Sequence, residues 1–145
     1  QNKAYGFELE TLARWNKFRF DTMLSHVRSK NDDTDEFFDA FPDWMLNIGV
    51  GYTFNANWDL YSSTRYHHRR QAAEVFSAAA MANQGPETFL RTDIVLAWMV
   101  SSSLTTRMTI RNLFNRDDFQ PGYMGQVKGV PDNGINLSLS ASWHL

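Results

Sequence analysis

A chain of 145 residues with no cysteine and a formal net charge of −2 at pH 7 is sized for one domain or a piece of one. Its charge balance supplies no global basic field for nucleic acid, and it lacks the thiols for a disulfide framework or a thiolate metal site. No run reaches the roughly 18 apolar residues of a transmembrane helix, which leaves open a barrel, whose strands interleave apolar with polar residues. A strand is predicted over 5–15, with Tyr5, Phe7, Leu9, Thr11, Ala13 and Trp15 on one parity and Gly6, Glu8, Glu10, Leu12 and Arg14 on the other. Asn16-Lys17 is a tight connection, and 18–28 returns as the second arm of a hairpin, Phe18, Phe20, Thr22 and Leu24 opposing Arg19, Asp21, Met23 and Ser25. A loop-like stretch over 29–43 follows, containing the acidic run Asn31-Asp32-Asp33-Thr34-Asp35-Glu36 and ending after Pro42.

Strands are next expected over 44–54, with Leu46, Ile48, Val50 and Tyr52 against Asn47, Gly49, Gly51 and Thr53, and over 58–67 after a short Asn55-Ala56-Asn57 turn. The connection over 68–87 holds a possible short helix near 72–82 and then Gly85-Pro86. A fifth strand over 88–100 puts Thr92, Ile94, Leu96 and Trp98 on one side, Ser101-Ser102-Ser103 turns the chain, and a sixth spans 104–113. After a loop over 114–133 comes the cleanest alternation of all, 134–145, in which Ile135, Leu137, Leu139, Ala141, Trp143 and Leu145 alternate with Asn136, Ser138, Ser140, Ser142 and His144.

Two regularities join these seven elements. Connections are short at 16–17, 55–57 and 101–103 and long at 29–43, 68–87 and 114–133, the habit of outer-membrane barrels. Trp15, Trp58 and Trp98 each lie beside a short turn and Trp143 beside the C-terminus, each on the apolar parity of its own strand. In a meander all four share one end and one face, as a membrane-interface girdle requires, because an indole has an apolar body and a polar N–H. Glu8, Glu10, Arg14, Arg19, Asp21, Asp59, Arg65, Asp93, Arg107 and Arg111 all fall on the other parity. The fold class expected is therefore all-β, a transmembrane antiparallel barrel; a soluble ligand-binding barrel is the less favoured reading of the same alternation. Seven strands leave an unpaired edge, so the sequence belongs to a larger barrel or conceals an eighth strand that would close a small one used as an anchor or adhesin.

The run Ile110-Arg111-Asn112-Leu113-Phe114-Asn115-Arg116-Asp117-Asp118-Phe119 resembles the penultimate-strand signature of TonB-dependent outer-membrane receptors, a hydrophobic residue followed by R-N-L-F-D/N-R/K-x-Y/F. Gly129-Val130-Pro131-Asp132-Asn133-Gly134 and the final alternating strand are similar to that family's ending. Gly6-Phe7-Glu8-Leu9-Glu10 and Pro42-Asp43-Trp44-Met45-Leu46-Asn47-Ile48-Gly49 resemble earlier strands, in the family's order. The departure is Leu145 at the end, where the family normally has an aromatic, with Trp143 two residues before it. The resemblance implies that 1–145 is the C-terminal part of a barrel of about 22 strands. It further implies a plug domain and remaining strands on another polypeptide, from a split or cleaved receptor. Energy would come from the TonB complex acting through that plug, the location would be the outer membrane of a Gram-negative bacterium, and the cargo a scarce nutrient such as a metal chelate or siderophore, haem, cobalamin or an oligosaccharide. Outer-membrane lipid or lipopolysaccharide would surround it.

Candidate ligand-binding residues follow at the extracellular ends. Arg65, His67, His68, Arg69 and Arg70 form a basic cluster suited to an anionic ligand or a lipopolysaccharide phosphate. Its bland reading is a solvated loop base. Adjacent histidines in a strand point to opposite faces, so His67 and His68 make a poor bidentate metal site. Phe37, Phe38 and Trp44 are candidate ligand-contacting aromatics, or a loop packed on itself. The acidic run has no EF-hand glycine or closing glutamate and reads as solvated. His26 and His144 read as isolated rim residues. Neither G-x-S-x-G nor H-E-x-x-H occurs, so no catalytic residue, resident metal or cofactor is expected, and like-parity charges read as cross-strand pairs that hold the wall.

Overall fold

The computed structural model describes residues 2–33, 42–68, 88–117, 119–120, 130–131 and 134–144. Its strands are β1 (Asn2–Trp15), β2 (Phe18–Asn31), β3 (Trp44–Asn55), β4 (Trp58–His68), β5 (Phe89–Met99), β6 (Leu104–Arg111), β7 (Phe119–Gln120), β8 (Val130–Pro131) and β9 (Asn136–Trp143). Seven of them form one antiparallel sheet in the order β1-β2-β3-β4-β5-β6-β9, a meander with β1 and β9 at its two edges. The expected strands are all present. β1 and β2 run three residues further than their alternation suggested, to Asn2 and Asn31, because each pairs with the other through the full hairpin. The loop after β6, expected to be unstructured, contains the two-residue ladder β7–β8. The possible helix near 72–82 lies outside the described residues.

Local chemistry explains the short turns. Asn16 takes φ 53°, a left-handed value that asparagine tolerates better than most residues, which lets Trp15 and Phe18 close the first hairpin as a cross-strand pair. At the second turn the Asn55 side-chain oxygen accepts from the backbone N–H groups of Asn57 and Trp58 at 2.9 and 3.1 Å. At the third, Ser101 Oγ accepts from the N–H groups of Ser103 and Leu104 at 3.2 and 3.1 Å. The second and third use a polar side chain to satisfy backbone donors that the ladder leaves over.

β6 stops at Arg111, two residues before its pattern suggested. Asn112 takes φ 53° and is 2% exposed, and its side chain holds the backbone of Arg116 from both sides, through Nδ2 to the carbonyl and Oδ1 from the N–H, each at 2.9 Å. Asn115 repeats the device at φ 49°, its Oδ1 accepting from the Ile135 N–H at 2.9 Å. The Asn-Leu-Phe-Asn-Arg run is thus a double-asparagine corner that turns the chain off β6 and sets the start of the last strand.

Phe89, at 5% exposure, is the one buried hydrophobic side chain among the described residues. Leu139, Trp15 and Trp143 are 77%, 73% and 65% exposed, although they belong to the regular apolar face. A sheet whose apolar face is bare while Ser25, Gly49, Gly51 and Phe89 are buried on its polar face is inverted relative to a soluble barrel.

Candidate functional site

The polar face carries a line of side chains running across the strands. Arg19 on β2 and Asp59 on β4 meet at 2.8 Å, and Thr53 donates its hydroxyl to the other Asp59 oxygen at 2.8 Å. Tyr61 on β4 donates to both carboxylate oxygens of Asp21 on β2, at 3.0 and 3.1 Å. Both contacts pass over β3, which lies between their strands. They can do so because β3 presents Gly49 and Gly51 at that spot. Gly49 lies directly opposite Asp21 and Gly51 directly opposite Arg19 and Tyr61. A methyl group at Gly49 would overlap the Tyr61 hydroxyl and both Asp21 oxygens, and one at Gly51 would come within 2.7 Å of the Arg19 guanidinium. Two glycines two residues apart therefore form a saddle, and the side chains it admits tie β2 to β4 independently of the backbone ladder.

Further along the same face Asp93 collects three donors. Arg65 Nη2 reaches one oxygen at 2.9 Å, and Arg91 Nε and the Asn112 backbone N–H reach the other at 3.0 and 2.9 Å. The register sets Arg65 directly opposite Arg91, so the carboxylate separates two cations that would otherwise face one another. Asp93 also connects the corner after β6 to the sheet, a bond joined by the Leu113 N–H to the Thr92 carbonyl at 2.8 Å. The arrangement is a matched, rigid polar wall rather than a reactive centre.

The apolar face is organised differently at its two ends. Trp58 and Trp98 are a direct cross-strand pair with rings parallel to within 3° at 5.1 Å, Trp15 stacks on Phe18, and Trp143 lies opposite Leu104. Following the paired rows Trp15–Phe18–Tyr52–Leu60–Leu96–Met108–Leu139 places all four tryptophans on one face at the short-turn end. At the other end Trp44 stacks on His26 at 4.2 Å and meets Phe7 edge-on at 5.7 Å, and Tyr66 and His68 join at 3.2 Å. A groove of about 270 Å³ opens there between Leu24, Trp44, Leu46, Tyr66 and His68.

The described members of the basic cluster foreseen from sequence do not share one face. Arg65 and His67 lie on the polar face, whereas His68 and Trp44 lie on the apolar one. Arg65 is committed to Asp93, and His67 stacks on Phe89 at 5.0 Å. Phe37, Phe38, Arg69 and Arg70 lie outside the described residues. His26 is a correction: it is not isolated, since its ring packs on Trp44 and its Nδ1 lies 2.8 Å from the Asp43 carbonyl oxygen. The acidic run is described only to Asp33, and there Asp32 pairs with Lys3 at 2.5 Å. Among the described residues no group of three or more histidine, aspartate or glutamate side chains is arranged to hold a metal ion. The glycine saddle and Arg91 were not anticipated; two glycines at i and i+2 on the polar parity of a strand are the signal that would have found the saddle.

The sequence model of the family described as "TonB dependent receptor-like, beta-barrel" matches residues 1–113. No curated protein matches the chain. Among solved structures it is similar to the copper transporter OprC, at 16% identity and a TM-score of 0.78, with 98% of this chain and 23% of that one covered. It is similar to the ferripyoverdine receptor of the outer membrane of Pseudomonas aeruginosa, at 14% identity and 0.77, covering 98% and 19%. It is also similar to the ferric-catecholate import receptor Fiu from E. coli, at 14% identity and 0.74, covering 99% and 21%. The chain thus spans about a fifth of the length of these solved proteins, which are transport receptors rather than enzymes.

Proposed function

The chain belongs to the TonB-dependent receptor β-barrel family, and on that premise we propose that it forms the C-terminal seven strands of an outer-membrane import receptor. The observation that carries this reading is the inverted sheet: a bare apolar face, a tied polar face, and strands β1 and β9 available at its two edges. Backbone groups left unpaired in lipid cost several kcal/mol each, so both edges require neighbours. We assign to the same receptor a plug and further strands that complete the wall. The apolar face meets lipid, with Trp15, Trp58, Trp98 and Trp143 at the periplasmic boundary and Trp44 with His68 near the extracellular one. The polar face lines the lumen, where Arg65 and His67 would contact an incoming ligand. That ligand is a scarce nutrient in complexed form, a metal chelate foremost, taken up by differential binding and TonB-driven movement of the plug in the outer membrane of a Gram-negative bacterium. A closed eight-stranded anchor is not favoured, because the family match points to a larger wall.

The test is to tag the chain, extract outer membranes in mild detergent, and identify what is isolated with it. The expected result is a heat-modifiable assembly that also contains a plug domain and further barrel strands, and loss of uptake of its cargo when residues 2–144 are removed. A species of about 17 kDa that resists denaturation by itself, with no plug-bearing sequence attached, would overturn the proposal.

A further inference from the structure

On the polar face, at the end away from the tryptophan-lined turns, the register brings soft donors together. Ser25 on β2 lies opposite Met45 on β3, and Met45 lies opposite His67 on β4. Met23 lies opposite Asn47, one step along the same two strands. Directly opposed side chains start about 4.5–5.5 Å apart at Cβ and diagonal neighbours about 7–8 Å, within the reach of a methionine. Two thioethers and an imidazole therefore share one patch. The His67 ring is stacked at 5.0 Å and 26° on Phe89, which is itself only 5% exposed, so the imidazole has a fixed backing.

A second observation points to a ligand. Ser25 is 1% exposed, and its Oγ has no hydrogen-bond partner among the described residues; nor has Asn47 Oδ1. Native structures leave few buried polar atoms unpaired. Methionine used only to fill space belongs in apolar surroundings. These two stand instead beside unpaired oxygens, with Glu8 and Glu10 of β1 opposite Ser25 and Met23.

We propose that Met23, Met45 and His67 bind a soft monovalent cation of the Cu(I) or Ag(I) class, with Ser25 and Asn47 lining the site. Neutral thioether and imidazole donors favour a soft ion, whereas a hard divalent ion seeks carboxylates. The carboxylates at hand are poorly placed for that: Asp93 is held by Arg65 and Arg91, and Glu8 and Glu10 stand on the far side of β2 from Met45 and His67. Arg65, opposite Asn47, adds positive charge beside the patch and penalises a divalent ion more than a monovalent one. Binding follows from the shared face alone; a part for the site in uptake rests on the receptor reading above.

The assembly isolated from outer membranes is titrated with Ag(I) against a chromophoric competitor, with Zn(II) in parallel. The expected result is one high-affinity Ag(I) per chain that Zn(II) does not displace. Replacing both sulfurs in M23L/M45L weakens binding by at least about tenfold, while Met108→Leu, on the apolar face, changes nothing. Equal Ag(I) affinity in the wild type and M23L/M45L overturns the proposal, as does displacement by Zn(II). Should the double variant fail to assemble, Met23→Leu and Met45→Leu carry the test singly, and unchanged binding in both overturns it. Because binding is read without transport, this result and the co-purification result can fail independently.

Discussion

The glycine saddle permits a quantitative test of how the wall is tied. Gly49→Ala places a methyl where the Tyr61 hydroxyl and the Asp21 carboxylate now meet, so the two side chains must part. Tyr61→Phe removes the same bond from the other side and leaves the backbone unchanged. A hydrogen bond to a charged group is worth about 1.5–3 kcal/mol, which partial exposure brings down to about 1–2 kcal/mol here. Each single variant should therefore lower the unfolding free energy of the assembled barrel by about that amount, with a small further cost for Gly49→Ala from displaced side chains. The decisive quantity is the double variant. Since both changes sever one contact, the second should cost almost nothing once the first is made, a coupling of about 1–2 kcal/mol. The assay is urea unfolding in detergent micelles followed by the mobility difference between folded and heated barrel. Costs that add to within about 0.5 kcal/mol would show that the hydroxyl–carboxylate bond and the glycine are energetically unrelated, and the saddle argument would fall.

Three further outcomes follow from the same geometry. Asp93→Ala leaves Arg65 and Arg91 facing each other and frees the Asn112 N–H, and should cost about 3 kcal/mol in the same unfolding assay; Asp93→Asn should cost less, and equal costs would discount the charge. Asn112→Ala puts an ordinary side chain at φ 53° and removes both hydrogen bonds to Arg116, whereas Asn112→Gly removes only the bonds. The alanine variant should be the worse by about 1–2 kcal/mol, and a glycine variant no better than alanine would argue against strain. Ile48→Arg, in the middle of the apolar face, should cost about 2–4 kcal/mol in a bilayer and Trp143→Arg, at its rim, about 0–1 kcal/mol; a flat profile would argue against lipid on that face.

Much of the architecture was legible in the residues because strand parity is a local property. Ile135 to Trp143 alternates without interruption, so its apolar face needed no knowledge of any neighbour. Trp15, Trp58 and Trp98 could be assigned to one end for the same reason: each sits beside a short turn whose length is visible in the chain. The corner at Asn112 was legible as a family-like motif but not as a shape, since nothing in Arg-Asn-Leu-Phe-Asn-Arg announces two left-handed asparagines. In the basic run at 65–70 the opposite facing of His67 and His68 was legible, but the commitment of Arg65 to Asp93 on the next strand was not. Proximity along a strand is not proximity in space, and alternation sent His67 and His68 to different environments.

Parity, turn positions and the seven-strand count were therefore fixed by the amino-acid order alone, because each depends on a handful of neighbouring residues. Register was decided only by the tertiary structure. Which residue of β2 stands against which residue of β3 depends on the conformation of a connection many residues long, and a two-residue slip keeps every side chain on its face while changing all its partners. The Gly49 saddle beneath Tyr61, the placement of Asp93 between Arg65 and Arg91, and the placement of Met23, Met45 and His67 on neighbouring positions of one face all depend on that register. They arise from pairing across strands, which periodicity along a strand does not encode.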